Sequence, residues 1–272
     1  MNRDFLKEKK RIVVKVGTST VTHEQTGEIN LLKLDKLAMV LSDIRKRGID
    51  VLLVSSGAIG AGRTALGLSK KPTELPIKQA CAAVGQARLM NIYQKLFSEY
   101  NQMIAQMMVT KHTLTNEISR ENAQNTLREL FDMGVIPILN ENDPVSTDQI
   151  QNEVFGDNDT LSAIVAELVD ADLLILLSDI DGLYTDNPKV NKDAEFIECV
   201  SQDSLDEMAN YAKDAVTTWG TGGMITKLEA AKIATSAGVD MIICNGRDVV
   251  DVARILDGKE IGTVFMKGNK NA

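Results

Sequence analysis

The stretch RIVVKVG (11–17) opens a pattern that decides the fold of this 272-residue chain. It is a short β-branched run ending at Gly17, as a buried strand does. After the polar segment TSTVTHEQTGEIN comes LLKLDKLAMVLSDIRKRG (31–48), whose apolar positions 31, 34, 37, 38, 41 and 44 keep helical spacing. Asn30 can cap its start, basic residues occupy its end, and Gly48 can terminate it. DVLLVSS (50–56) then reads as a second buried strand. Strand, helix, strand with continuous apolar runs implies a parallel sheet covered by helices on both faces.

The alternation continues along the chain. GAIGAGRTALGL (57–68) reads as a small-residue turn and helix, and 76–100 as a long helix. Strands are expected at 102–109 and 135–140 with a helix at 119–134 between them, and Pro137 should sit near an edge or where its missing N–H is tolerated. A polar loop at 140–157 leads to a helix at 158–169 and a strand at 172–179. Beyond turn-rich and less regular sequence, the glycine-rich WGTGGMITK leads into the helix LEAAKIATSAG. Strand 239–246, a short helix near 248–256 and a last strand, GTVFM, follow. No repeat, low-complexity tract or linker interrupts this order, so one compact α/β domain is the simplest reading.

Composition narrows the function. A formal charge of −8 argues against nucleic acid or a membrane surface as partner, since both are polyanionic. Three scattered cysteines with no CxxC pair suit a reducing compartment rather than a disulfide framework or zinc site. The N-terminal MNRDFLKEKK lacks the apolar core of a signal peptide, and no apolar run is long enough to span a bilayer, so a cytoplasmic protein is expected.

In an open α/β sheet, ligands gather beyond the carboxyl ends of the strands. Five polar segments should meet there: Lys15–Ser19, Ser55–Gly57, Asn140–Asp143, Ser178–Asp179 and the glycine loop ending at Lys227. The loop GTGGMITK reads either as a flexible lead-in to a capped helix or as a phosphate cradle of backbone N–H groups with a lysine; it is not a Walker A motif. Lys15 reads either as a snorkelling strand-end lysine or as an ammonium aimed into a polar cleft, and the hydroxyls of GTST favour the cleft. In GDNDT (156–160), Asp157 or Asn158 can cap the helix, which leaves the other polar groups to be explained. With NENDP (140–144) they supply carboxylates for an ammonium and amides for a carboxylate, the mixture a zwitterionic amino acid requires. His23 and His112 are isolated and carry no triad spacing, Trp219 suits packing more than an adenine pocket, and the methionines at 103–108 read as core filling.

Together VVKVGTST, LVSSGAIGAGR, QACAAVGQARLM, PILNENDPVST, FGDNDTLSA, LLSDIDGLYTDNP and GTGGMITKLEAA resemble the glutamate 5-kinases of the amino acid kinase family, in order from about residue 11 to the C-terminus. The resemblance implies a three-layer αβα sandwich around a mainly parallel sheet of about eight strands. It implies a single kinase domain over 1–272, with a glutamate-binding lobe to roughly 165 and a nucleotide-binding lobe from roughly 166. The implied reaction moves the γ-phosphoryl group of ATP, supplied with Mg²⁺, to the γ-carboxylate of L-glutamate, opening proline synthesis. By the same resemblance, Lys15 and Lys227 bracket the phosphoryl group and Asp159 orients them. Ser56, Asp143, Asn158, Asn140 and Asp157 hold glutamate. Lys15, Ser178, Asp179, Thr221, Gly222, Gly223, Met224, Ile225, Thr226 and Lys227 contact ATP, and no residue is assigned to metal.

A homodimer or homotetramer, feedback inhibition by proline near residues 110–120, and coupling to a glutamyl phosphate reductase are further implications. The C-terminal PUA module of many relatives is expected to be missing. The alternatives are another amino acid kinase acting on acetylglutamate or aspartate, and a non-catalytic sensor on the same fold. A Rossmann dehydrogenase fits less well, because the first strand runs into GTST and not GxGxxG.

Overall fold

A computed structural model describes residues 2–23, 26–146, 158–186, 191–202, 204, 205, 208 and 222–268. The opening pattern folds as its periodicity demands: strand β1 (Arg11–Val16), a single helical turn α1 (Thr18–Val21), helix α2 (Leu31–Lys46) and strand β2 (Asp50–Ser55). The Asn30 side chain accepts a hydrogen bond from the Lys33 N–H at 3.0 Å and caps α2, and Gly48 takes φ = 84° just past its end. Helices α3 (Ala58–Ala65) and α4 (Leu75–Glu99) precede strand β3 (Ile104–Val109). The polar segment 110–118, read from sequence as a loop, is helical: α5 (Lys111–Thr115) runs into α6 (Glu117–Asp132). Thr110 and Thr113 form a capping box at the start of α5, a signal carried by two threonines where glutamate is the usual partner.

Strand β4 (Ile136–Glu141) carries Pro137. It lies second from the sheet edge, and its ladder with β2 begins only at Ile138, so the proline's missing N–H interrupts no rung on that side. Helix α7 (Asn158–Leu168), strand β5 (Leu173–Ser178) and a two-stranded ribbon, β6 (Leu183–Tyr184) with β7 (Phe196–Ile197), come next. Strand β8 (Cys199–Val200), helix α8 (Gly222–Ser236), strand β9 (Asp240–Asn245), helix α9 (Asp251–Leu256) and strand β10 (Thr263–Phe265) complete the described chain. The sequence reading starts the glycine-led helix at residue 228, whereas α8 begins at Gly222 and holds Met224–Lys227 in its first two turns.

The sheet has eight strands in the order β3-β4-β2-β1-β5-β9-β10-β8, with β10 antiparallel to β9 and the six strands from β3 to β9 parallel. Alternation along β1 sends Ile12, Val14 and Val16 to the face covered by α2, α4 and α9. Val13 joins the opposite face, covered by α6, α7 and α8, and Lys15 shares that face by the same alternation. The register aligns the strand ends: Val16 pairs with Ser55, Val54 with Leu139, Lys15 with Leu176, and Ser178 with Asn245. The polar segments that follow β1, β2, β4 and β5 therefore reach one common edge.

Helices α3 and α4 cross through glycine. A Cβ on Gly85 would lie 1.8 Å from the Ala58 carbonyl oxygen and 2.4 Å from the Gly62 nitrogen, and one on Gly62 would lie 1.8 Å from the Cys81 carbonyl. Two competing effects bear on Gly85→Ala: helix propensity alone favours alanine by about 1 kcal/mol, while a methyl driven into backbone costs about 1–3 kcal/mol or more. Because only rigid backbone lines the contact, steric cost should dominate. We expect Gly85→Ala to lower the thermal midpoint by at least several degrees in calorimetry; an unchanged or raised midpoint would show that the crossing has slack.

Candidate active site

At the common strand edge, the chemistry converges on one carboxylate. Asp159 lies in the first turn of α7 with its side chain 1% exposed, and its Oδ1 is 2.5 Å from the Lys15 Nζ. Its Oδ2 accepts from the Lys227 Nζ at 3.1 Å. Three elements supply these groups: β1 brings Lys15 up on its α-covered face, α7 starts at the strand edge, and α8 carries Lys227 inward on its second turn. Burial pushes the Asp159 carboxyl up, but the charges and hydrogen bonds of Lys15 and Lys227 outweigh it and hold the group below the usual carboxylate range. Among the described residues, two ammonium groups thus converge on one carboxylate at the mouth of the sheet.

Beside it lies a chain of amides and a hydroxyl. The Asn158 Nδ2 donates to the Ser56 Oγ at 2.6 Å and to the Asn140 Oδ1 at 3.3 Å. The Asn140 Nδ2 in turn donates to the Gln86 Oε1 on α4 at 3.0 Å. Asn158 is thus the first residue of α7 and uses its amide laterally, bridging β2 and β4. Asp157, the other candidate cap and a predicted glutamate ligand, lies outside the described residues. The sharp exit from β2 that delivers Ser56 depends on Gly57, at φ = 103° with Val21 packed against it; a Cβ there would meet Val21 Cγ1 at 2.9 Å.

Beyond β4, Asp143 is 5% exposed and its Oδ1 has no hydrogen-bond partner among the described residues. Desolvation raises its carboxyl to about 6. A buried carboxylate oxygen without a partner is costly unless something cationic comes to meet it. Glu141, also buried, accepts from the Ser146 hydroxyl at 2.7 Å. It sits inside the segment expected to face the cleft but was not among the predicted site residues.

On the other side of the Lys15–Asp159–Lys227 centre, Ser178 ends β5 and donates to the Asp179 Oδ1 at 3.0 Å. The Gly246 N–H donates to the Ser178 carbonyl at 2.7 Å, and Asn245 Nδ2 donates to the Asp181 Oδ1 at 2.6 Å, stitching the ends of β5 and β9. Gly222 and Gly223 open α8, and Met224, Ile225 and Thr226 are partly buried on its first turns. Thr221 and Trp219 lie outside the described residues. His23 and His112 are exposed, away from these contacts.

The structure therefore gathers Lys15, Ser56, Asn140, Asp143, Asn158, Asp159 and Lys227 at one edge, with Ser178 and Asp179 beside them. Gln86 was missed, and its signal was present in the sequence: a long polar side chain in a helical stripe that otherwise runs Cys81, Ala82, Gly85, Leu89, Tyr93 and Phe97. Removing the Asp159 charge should expose how much the centre depends on it. Breaking a buried ion pair from one side costs about 3 kcal/mol or more. A carboxyl held below its usual range contributes stability above that range and loses it as pH falls through its folded-state value. We expect Asp159→Asn to be less stable than wild type by about 3 kcal/mol at pH 7, with the gap shrinking in acid, measured by urea unfolding at both pH values. A gap that stays constant with pH would mean that the two lysines do not hold this carboxylate.

Comparison with known proteins gives the lineage. The amino acid kinase family matches residues 10–245. The chain is 52% identical over 265 residues to a glutamate 5-kinase from Clostridium perfringens, covering 97% of this chain and 98% of the relative. It is 48% identical to a glutamate 5-kinase from Listeria monocytogenes, covering 97% of this chain and 95% of the relative. Among solved structures, a carbamate kinase from Giardia superposes with TM-score 0.64 at 20% identity, covering 96% of this chain and 99% of that one. A UMP kinase from Bacillus anthracis superposes with TM-score 0.62 at 16% identity, covering 96% and 97%, so the likeness to both structures is one of fold. The chain belongs to the amino acid kinase family and, within it, to the glutamate 5-kinases.

Proposed function

We propose that the chain transfers the γ-phosphoryl group of ATP to the γ-carboxylate of L-glutamate, giving L-glutamyl 5-phosphate and ADP, the first step of proline synthesis. The observation that carries this reading is Asp159 buried between Lys15 and Lys227. A free glutamate side chain ionises near ~4.3, so the nucleophile is already an anion at neutral pH and requires no general base. The obstacle is repulsion between that anion and the polyphosphate, which fixed cations relieve. In the step itself, a γ-carboxylate oxygen forms a bond to the γ-phosphorus as the bond from that phosphorus to the β,γ-bridging oxygen breaks. The leaving electron pair goes to ADP, and no proton moves.

In this reading Lys15 and Lys227 flank the transferred group and Asp159 keeps both ammonium groups aimed inward. Ser56, Asn140, Asn158 and Asp143 hold glutamate, with Asp157 a further candidate. Asp143 favours glutamate over N-acetylglutamate, because its unpartnered buried oxygen matches a free ammonium and an acetylated nitrogen leaves it unpaired. Ser178, Asp179 and residues 221–227 form the nucleotide side, so the acceptor belongs to the N-terminal lobe and ATP to the C-terminal one. ATP enters as its Mg²⁺ chelate. In that chelate the metal is carried largely by phosphate oxygens.

Further proposals follow from the same family. Proline competes with glutamate at the pocket bordered by α5. The protein works as a dimer or tetramer in the cytoplasm, and no described helix is long and apolar enough to cross a membrane. The acyl phosphate product is labile and calls for a glutamyl phosphate reductase to consume it.

The deciding assay measures ADP release with MgATP and L-glutamate, trapping the acyl phosphate with hydroxylamine, beside L-aspartate, N-acetyl-L-glutamate, carbamate and UMP. Turnover with glutamate alone is expected, and Lys227→Ala should lose roughly 10²-fold or more in kcat. Turnover with another acceptor would overturn the substrate, and silence in a folded, ATP-binding protein would favour a sensor.

Asp143 supplies a pH test. Its carboxyl must be ionised to meet the ammonium, so kcat/KM for glutamate should fall as pH drops below about 6. The stability effect has the opposite sense: a raised carboxyl favours the fold at low pH, and that benefit is lost as pH rises through about 6. Asp143→Asn should therefore stabilise the ligand-free protein at pH 8 by about 2 kcal/mol while abolishing glutamate binding by calorimetry. Retained binding would remove Asp143 from the pocket.

A further inference from the structure

Gln86 takes no part in the mechanism above, yet it is 7% exposed and points its amide into the polar edge of the sheet. We propose that Gln86 is a positioning residue for the acceptor substrate, acting through Asn140 as the buried end of the Gln86–Asn140–Asn158–Ser56 chain. The inference rests on the reading that this pocket holds L-glutamate.

The argument is one of donors and acceptors. Gln86 Oε1 accepts from the Asn140 NH₂ at 3.0 Å. That turns the Asn140 Oδ1 toward the Asn158 NH₂, 3.3 Å away. A flipped Asn140 would set two NH₂ groups against each other. The same Asn158 nitrogen donates to the Ser56 Oγ at 2.6 Å, which makes Ser56 the acceptor there. The Ser56 hydroxyl, accepting there, keeps its proton to donate elsewhere, as to a carboxylate of the ligand.

Helix α4 is built to hold this anchor still. Gly85, next to Gln86, seats α4 against the backbone of α3 at a contact that admits no Cβ. Two turns further on, the Tyr93 hydroxyl hydrogen-bonds the Ser55 Oγ at 2.8 Å, so one helix grips both Asn140 and the residue preceding Ser56. An amide at position 86 also suits the charge of the site. A dicarboxylate ligand brings two negative groups to the pocket. A neutral acceptor orients Asn140 without adding to that repulsion.

The test is steady-state kinetics in the hydroxylamine assay, varying L-glutamate at saturating MgATP and then the reverse. Gln86→Met keeps the volume and removes the acceptor. It is expected to raise KM for glutamate about tenfold while KM for ATP stays within about twofold. In an Asn140→Ala background, where the chain is already cut, the same substitution should add nothing to KM for glutamate. Leu89→Ala, a buried core change on the same face of α4, should lower the thermal midpoint without altering the ratio of the two KM values.

Should Gln86→Met not fold, Gln86→Ala is read in the same way. An unchanged glutamate KM, a parallel rise in both KM values, or an undiminished effect in the Asn140→Ala background would each overturn the assignment. If wild-type protein fails to use L-glutamate, the functional reading falls; if it succeeds and Gln86→Met matches it, only this inference falls.

Discussion

A carboxylate buried between two ammonium groups constrains everything around it. Asp159 is held ionised at 1% side-chain exposure by Lys15 and Lys227, which stand within ion-pair distance. Each lysine belongs to a different part of the chain, one in the first strand and one on the helix that starts near residue 222. The pair of contacts therefore ties β1, α7 and α8 together at the point where the sheet opens. It also places positive charge where an acidic protein would otherwise repel a polyphosphate.

The neighbouring pocket solves a different problem with neutral groups. Serine and amide side chains from β2, β4 and α7 join in one hydrogen-bonded chain whose far end rests on α4. Among the described residues there, Asp143 keeps a buried carboxylate oxygen with no hydrogen-bond partner. Among the described residues the groups are thus divided: two lysines around Asp159, amides beside them, and the Asp143 carboxylate beyond.

The glycine crossing of α3 and α4 connects this chemistry to the scaffold. It uses backbone contact in place of side-chain packing, so α3, which follows the turn carrying Ser56, lies directly against the helix carrying Gln86. Loose packing at that point would allow the amide chain to drift by fractions of an ångström, enough to misorient a ligand carboxylate.

Local pattern in the sequence determined the alternation of strands and helices, the parallel sheet and the strand edge at which ligands collect. These rest on short-range periodicity, apolar runs and caps such as Asn30, which act within a few residues. Shared motifs singled out Lys15, Asp159 and Lys227, and tertiary structure brought them into contact. Local pattern did not show that 110–118 is helical, since a threonine capping box is a weak signal, nor that α8 starts at Gly222, where glycine disfavours a helix that tertiary contacts support. Only the tertiary structure decided that Gln86 reaches Asn140 across 54 positions of sequence and that Asp143 keeps an oxygen unpaired. Hydrogen-bond partners and desolvation depend on what the fold brings alongside a residue, and no local spacing encodes that.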